Sequence, residues 1–258
     1  MGKATDSLMT ALSLKPKEHL ALVGGGGKTS LMFALADEFS KKNKQVVTST
    51  TTKIWSHEAR RSSCIAFIQS NSSWKDGLKE ELQTHRHVFL AHSLLNSGKV
   101  KGISPSLADE LYREPGIDYL IVEADGAAGH PVKAHANHEP VIPASATKVV
   151  AMLGIEAMGQ KLEPDVVFRM DLFEKLTGLD PGQRLTPSVL AKLFLETEGL
   201  FKGSPVSSKR LVFLNKFDLL TEMQEAKELA SLILGSSFKN IDRVIIGSIL
   251  KMRYYPVD

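Results

Sequence analysis

The run Leu22-Val-Gly-Gly-Gly-Gly-Lys-Thr-Ser30 sets four glycines beside a lysine and two hydroxyls. Glycine has no Cβ, so backbone N–H groups can close on an anion. Gly24, Gly25, Gly26 and Gly27 are expected to form that cradle, and a helix opening at Lys28–Ser30 adds its own free amides. At this spacing Lys28 reaches the β- and γ-phosphates of a nucleotide, and Thr29 gives its hydroxyl to Mg²⁺. The first glycine of the pattern G-x-x-x-x-G-K-[ST] is replaced by Leu22. The bland alternative is a flexible turn, but an apolar run precedes the glycines and a helical pattern follows them.

A second constellation is Ile117-Asp-Tyr-Leu-Ile-Val-Glu-Ala-Asp-Gly-Ala-Ala-Gly129. Glu123 and Asp125 are two apart, which on a strand puts both on one face at its C-terminal end. Ligands of open α/β sheets bind outside that edge. Asp125 is expected to hold Mg²⁺ together with Thr29, and Glu123 to polarise water or share the metal. Lys28, Glu123 and Asp125 form the candidate catalytic set. The hydroxyl run Val47-Thr-Ser-Thr-Thr-Thr-Lys53 ends another strand. Either it completes the metal shell and neutralises charge, or it is only a set of β-favouring threonines.

The third is Leu211-Val-Phe-Leu-Asn-Lys-Phe-Asp218, an apolar run ending in Asn-Lys-x-Asp. The Asp218 carboxylate can accept from guanine N1–H and the exocyclic amine, whereas adenine would leave it unpaired. Asn215 would meet the base edge or tie loops together, and the Lys216 stem would cover the base face. GTP is therefore the expected ligand, with ATP the alternative, and a GTP hydrolase the expected activity; the alternatives are a phosphoryl- or nucleotidyl-transfer enzyme acting on a cofactor precursor and a non-hydrolysing nucleotide-sensing scaffold. The bland reading of Asp218 is a helix cap.

Eight histidines fall partly into two groups, His85/His87/His92 and His130/His135/His138. Imidazoles bind nickel and zinc, but neither spacing is a known ligand signature. Lys133, His138 and Glu139 either line a substrate or switch loop or belong to a structural loop fixed by its three prolines; were the protein a transferase, Lys133, His138 or Arg169 would bind the acceptor.

These residues need a scaffold. Strand-like runs at His19–Val23, Gln45–Thr50, Cys64–Ile68, His87–Ala91, Tyr119–Ala124, Lys148–Leu153, Arg210–Asn215 and Arg243–Ile246 alternate with helical patterns. The helices are expected at Lys28–Lys42, Ser73–His85, Ser106–Arg113, Asp171–Thr177, Pro187–Glu198 and Glu222–Leu234. That alternation predicts an α/β, phosphate-loop NTPase-like, three-layer α/β/α fold with a mainly parallel sheet. One domain spans residues 1–258, with a helical insertion over 154–208. Thr186-Pro187 reads as an N-cap with proline at the first helical position, and Gly235 as the end of a helix.

The chain has 258 residues, 43% hydrophobic and 24% charged, an ordinary globular composition. Its formal net charge of +3, without a dense basic block, gives no sign of a nucleic-acid partner. No apolar run reaches a membrane-spanning length, so no membrane partner is expected. A single cysteine, Cys64, excludes an internal disulfide and is read as excluding a Cys-based metal centre; one thiol fits a cytoplasmic protein.

Two resemblances follow from these motifs. Gly24-Gly25-x-Gly27-Lys28-Thr29 is similar to the deviant phosphate loop of the MinD/signal-recognition GTPases, with Val23 where many members carry a signature lysine. In that class Asp125-Gly-Ala-Ala-Gly129 resembles the D-x-x-x-G segment, which implies that the Gly129 N–H senses the γ-phosphate. From about Ala21 to the last strand, V-G-G-G-G-K-T-S, V-T-S-T-T-T-K-I, I-V-E-A-D-G-A-A-G-H-P-V-K-A, H-E-P-V-I-P and F-L-N-K-F-D together resemble the YqeC-type selenium-dependent (molybdenum) hydroxylase accessory proteins. His130 stands where an arginine-like residue is expected. This resemblance implies a role in maturation of a molybdenum hydroxylase, with that enzyme or its maturation factors as partner.

Overall fold

A computed structural model of the chain describes residues 2–69, 73–236 and 241–258. In chain order the elements are α1 (Leu8–Ala11), β1 (Glu18–Gly24), α2 (Lys28–Lys41), β2 (Val46–Thr50), β3 (Lys53–Trp55), α3 (Ser56–Ala59), β4 (Ile65–Phe67), α4 (Trp74–His85), β5 (His87–Ala91), β6 (Ser93–Leu94) and β7 (Lys99–Lys101). There follow α5 (Pro105–Arg113), β8 (Tyr119–Glu123), β9 (Val132–Lys133), β10 (Lys148–Gly154), β11 (Val167–Phe168), α6 (Met170–Thr177), α7 (Pro187–Leu195), β12 (Lys209–Asn215), α8 (Gln224–Leu234), β13 (Arg243–Ser248) and β14 (Arg253–Val257).

Among the described residues, nine strands form the central sheet in the order β14-β13-β12-β10-β1-β8-β2-β5-β4. All pair in parallel except the edge strand β14, which runs antiparallel to β13. The strands β1, β2, β5, β8 and β10 are buried at every position, so the sheet needs cover on both sides. Alternate residues divide between the faces. Leu20 and Leu22 join the cluster under α1 and α2, whereas Ala21 and Val23 join the cluster under α7 and α8. Val47, Leu120 and Val122 face α4 and α5. The result is an α/β protein with helices on both sides of a mostly parallel sheet.

α2 docks through Leu31, Leu35 and Phe39, and Phe39 stacks on Tyr119 of β8 with ring centroids 3.7 Å apart. Burying each of these three side chains contributes roughly 1.5–3 kcal/mol, which anchors the helix start. Register aligns the strand ends. Leu22 sits opposite Glu123, Glu123 opposite Thr50, Gly24 opposite Met152, and Gly154 opposite Asn215. The glycine run, the acidic pair and Asn215 thus emerge on one edge of the sheet.

Two local expectations change. Residues 154–208 carry β11 as well as helices; β11 pairs in parallel with β9, a two-residue contact too short to leave a periodic signal. Gly235 does follow α8, but at φ −73°, right-handed, so freedom from a Cβ is not what stops the helix. Thr186 caps α7 as its sequence suggests: its hydroxyl accepts from the Val189 amide, with Pro187 at the first helical position. The short antiparallel sheet β3-β7-β6 beside the main edge has no counterpart in the expected elements. No helix among the described residues is long and apolar enough to cross a membrane.

Candidate functional site

A cleft of about 1550 Å³ opens along the aligned strand ends. It brings together Gly26, Gly27, Lys28, Thr29, Ser30, Glu123, Asp125, Gly129 and Lys216 of the predicted residues. Gly24, Gly25, Asn215 and Asp218 do not line it.

The glycine run is tight for reasons visible around each residue. A Cβ on Gly24 would lie 2.3 Å from the Met152 carbonyl oxygen, and on Gly26 2.0 Å from the Gly154 nitrogen. Gly24, Gly26 and Gly27 also have φ of +93°, +74° and +116°. The amides of Gly24, Gly25 and Gly26 do not face the cleft as expected. They donate to Asp125 Oδ2 (2.7 Å), Met152 O (3.0 Å) and His130 O (3.0 Å). The glycines serve close packing, and the amides that open toward the cleft are those at the start of α2. No side chain caps that helix, and its first four N–H groups, Gly27 to Ser30, have no carbonyl a turn below.

Lys28 Nζ donates to Gly24 O (2.5 Å) and lies 2.9 Å from Asp125 Oδ1. Asp125 is 1% exposed and carries a dense set of partners. Its Oδ2 is 2.7 Å from His135 Nε2 and 3.6 Å from Lys133 Nζ. Burial alone would raise its pKa, but Lys28, the His135 hydrogen bond and Lys133 outweigh burial and hold the carboxyl well below the usual carboxylate range. Lys133 continues the chain of charge: it lies 2.9 Å from Glu139 and donates to the Gly126 carbonyl, and Glu139 lies 3.1 Å from Arg169. Burial lowers the Lys133 pKa, against the pull of Asp125 and Glu139.

Glu123 differs from Asp125, two residues away. Burial pushes its pKa up to about 7, against Lys28 and a hydrogen bond with Thr29. Its Oε1 is buried with no hydrogen-bond partner among the described residues. The two carboxyls are thus held apart in protonation, one an anion and one that exchanges a proton near neutrality.

Asn215 is a tie between loops. Its Nδ2 donates to Gly26 O (2.8 Å), and its Oδ1 accepts from the Ile249 amide (3.2 Å). Lys216 pairs with Glu156. Asp218 sits in a short 3-10 turn that follows β12, and its Oδ1 is buried without a partner among the described residues. The hydroxyl run is buried through Thr50, at the end of β2. Ser49 Oγ donates to Leu90 O, Thr50 Oγ1 to Glu123 O, and Thr51 Oγ1 to Val141 O, so the hydroxyls fasten strand ends together.

Neither histidine group gathers into a metal site among the described residues. His135 holds Asp125, His130 bridges the Ala127 and Pro164 carbonyls, and His87 meets Thr48. Among the described residues, the three-ligand cluster is Cys64, Glu81 and His85, with ligand atoms within 4.8 Å of one another. The single cysteine therefore does not exclude a mixed cluster, because fold neighbours, not sequence neighbours, supply the other two atoms. His135, the partner of Asp125, is not among the site residues expected from the sequence. Its signal was spacing: Lys133 and His135, like Glu123 and Asp125, are two apart on an extended segment.

A glycine turn, an uncapped helix start and a lysine–aspartate pair at one edge of a parallel sheet define a phosphate-loop α/β protein. The chain belongs to the YqeC protein family, whose sequence pattern matches residues 20–171. The uncharacterized protein YqeC of Escherichia coli (strain K12) is 35% identical over 199 residues, covering 77% of this chain and 75% of that one. Among solved structures, chloroplast FtsY from Physcomitrella patens has a TM-score of 0.45 at 13% identity, covering 98% of this chain and 66% of that one. FtsY from Mycoplasma mycoides has a TM-score of 0.41 at 13% identity, covering 92% and 62%. The chain thus spans less than two thirds of either FtsY chain.

Proposed function

We propose that the cleft binds a nucleoside triphosphate with Mg²⁺, GTP in preference to ATP, and transfers its γ-phosphoryl group to water. The observation that carries this reading is one of place: the uncapped start of α2, the Lys28 ammonium and the Asp125 carboxylate 2.9 Å from it converge at one sheet edge. The amides of Gly27 to Ser30 would receive the phosphates, and the Lys28 ammonium would exchange Gly24 O for phosphate oxygens.

Thr29, Asp125 and, beside them, Glu123 offer the oxygen donors that a hard cation takes, and Asp125 stays ionised to hold it. Mg²⁺ bound there supplies neutralisation of charge on the β- and γ-phosphate oxygens. Glu123 is the group suited to the attacking water. Its unpaired Oε1 would accept the water proton as the water oxygen bonds to phosphorus, while the nucleoside diphosphate leaves with the bond electrons. A pKa of about 7 matches that task at neutral pH. At the other end, Asp218 offers a buried carboxylate oxygen without a partner among the described residues, the group that guanine N1–H would satisfy. The maturation of a selenium-dependent molybdenum hydroxylase, as the process that turnover serves, rests on the family resemblance.

The test is competitive equilibrium binding of GTP and ATP with Mg²⁺, beside Lys28→Ala and Asp218→Ala, followed by phosphate release. Expected are a tenfold or greater preference for GTP that Asp218→Ala removes, and loss of both nucleotides in Lys28→Ala. Equal binding of ATP overturns the guanine assignment. Binding of neither overturns the phosphate site.

A further inference from the structure

The Lys53 end of the hydroxyl run lies outside the Lys28–Asp125 cluster, yet it stands on the wall of the same cleft. The wall is the small antiparallel sheet. In its register Lys53 lies directly opposite Lys101, and Trp55 directly opposite Lys99. Alternation turns Ile54 and Val100, 5% and 1% exposed, to the buried face. The same alternation puts Lys53, Trp55, Lys99 and Lys101 together on the side that lines the cleft.

Two features of that side are unfavourable for folding alone. Like charges directly across a strand pair repel. Neither Lys53 nor Lys101 has an ion-pair partner among the described residues. Trp55 is 47% exposed, with the Lys99 ammonium 4.6 Å from its ring centroid. The acid nearest in sequence, Glu58, also lines the cleft, where it accepts the Trp55 amide as a cap of α3 and pairs with neither lysine. Arg61 adds a further cation to the same wall. Like charges left facing each other beside a half-exposed indole are what a phosphorylated ring would satisfy: the lysines take the anion, and the indole stacks on the ring. Space agrees. Ligand sites commonly occupy about 300–1,000 Å³, and this cleft has about 1550 Å³.

We infer that the β3–β7 wall is a second ligand subsite, for a small phosphorylated aromatic molecule held beside the nucleotide. The inference rests on the nucleotide reading for the occupant of the inner cleft, and on the β3–β7 register for the subsite itself. Because the patch is one wall of a cleft, it fits a small molecule.

The chain has two tryptophans, so in a Trp74→Phe background Trp55 is the sole indole reporter. Phenyl phosphate is titrated into this protein loaded with Mg²⁺ and GDP, with inorganic phosphate and phenol as controls. The same titration is run without nucleotide on the Lys28→Ala form. The expected result is a saturable change in Trp55 emission, with phenyl phosphate at least tenfold tighter than either control. Lys53→Gln and Lys101→Gln each weaken it tenfold or more, keep GDP affinity within twofold, and leave Tm unchanged or higher because the repulsion is gone. The Lys28→Ala form keeps the phenyl phosphate response even if no nucleotide binds at all, which separates this inference from the nucleotide reading. Phenyl phosphate no tighter than phosphate, or unaffected by the lysine substitutions, overturns the subsite. A tenfold loss of GDP affinity in Lys53→Gln also overturns it, and assigns the wall to the nucleotide.

Discussion

Glu123→Gln should make the protein more stable at alkaline pH, although it deletes a residue proposed for catalysis. Glu123 is 7% exposed, its Oε1 has no partner among the described residues, and burial raises its pKa from 4.5 to about 7. The folded chain therefore holds the proton more tightly than the unfolded one. Stability from the neutral acid is fully present below pH 4.5 and is lost as pH rises through 7. At roughly 1.4 kcal/mol per pKa unit, the full loss is about 3 kcal/mol. Between pH 5 and pH 8.5 the part still to be lost is roughly 2–3 kcal/mol, because the unfolded glutamate is already largely ionised at pH 5. The glutamine side chain has the same shape as the glutamate and never ionises. Urea unfolding of the wild type and Glu123→Gln at both pH values gives the double difference, in which titrating groups that do not interact with Glu123 cancel. The variant should gain roughly 2–3 kcal/mol on the wild type between the two pH values. A double difference near zero would mean that the carboxylate finds partners or water in solution, and the proton-exchanging role of Glu123 would fall with it.

Gly26→Ala should cost roughly 3 kcal/mol or more, since its Cβ would meet the Gly154 nitrogen at 2.0 Å at φ +74°; a variant with unchanged Tm would show that the loop can be redrawn. Asn215→Ala leaves Gly26 O and the Ile249 amide unpaired, and denaturant titration should read about 2–4 kcal/mol of lost stability. His135→Ala removes one charge-assisted bond on Asp125 but leaves Lys28 and the Gly24 amide. It should weaken Mg²⁺-dependent nucleotide binding about tenfold or more, with EDTA-treated samples changing less; equal loss with and without the metal argues against a role through Asp125. Burial lowers His19 and His87 to about 4, so each contributes stability that is present above about pH 6.5 and lost as pH falls through about 4, up to about 3 kcal/mol apiece. His87→Gln should flatten the acid limb of the stability profile, and an unchanged limb would show that His87 reaches water.

Much of this protein is legible in its residues one after another. The glycine run between an apolar strand and Leu31, Leu35 and Phe39 announces a strand, turn and helix, because local backbone freedom and helical periodicity are both short-range properties. The spacing of Glu123 and Asp125 places them on one face for the same reason. Strand–helix alternation leads to a mostly parallel sheet covered on both sides. What the chain could not disclose is who meets whom across the sheet. Asp125 receives Gly24, Lys28, Lys133 and His135 from separate segments. That gathering splits two similar carboxyls into a permanent anion and an acid near neutrality, through burial and charge that exist only after folding. The threonines spend their hydroxyls on strand ends, and Asn215 on the glycine loop, because buried polar groups must find partners wherever the packing leaves them. Lys53 and Lys101 lie 48 positions apart in sequence. Only an antiparallel register of three residues sets them face to face, and register depends on tertiary packing that no local pattern encodes.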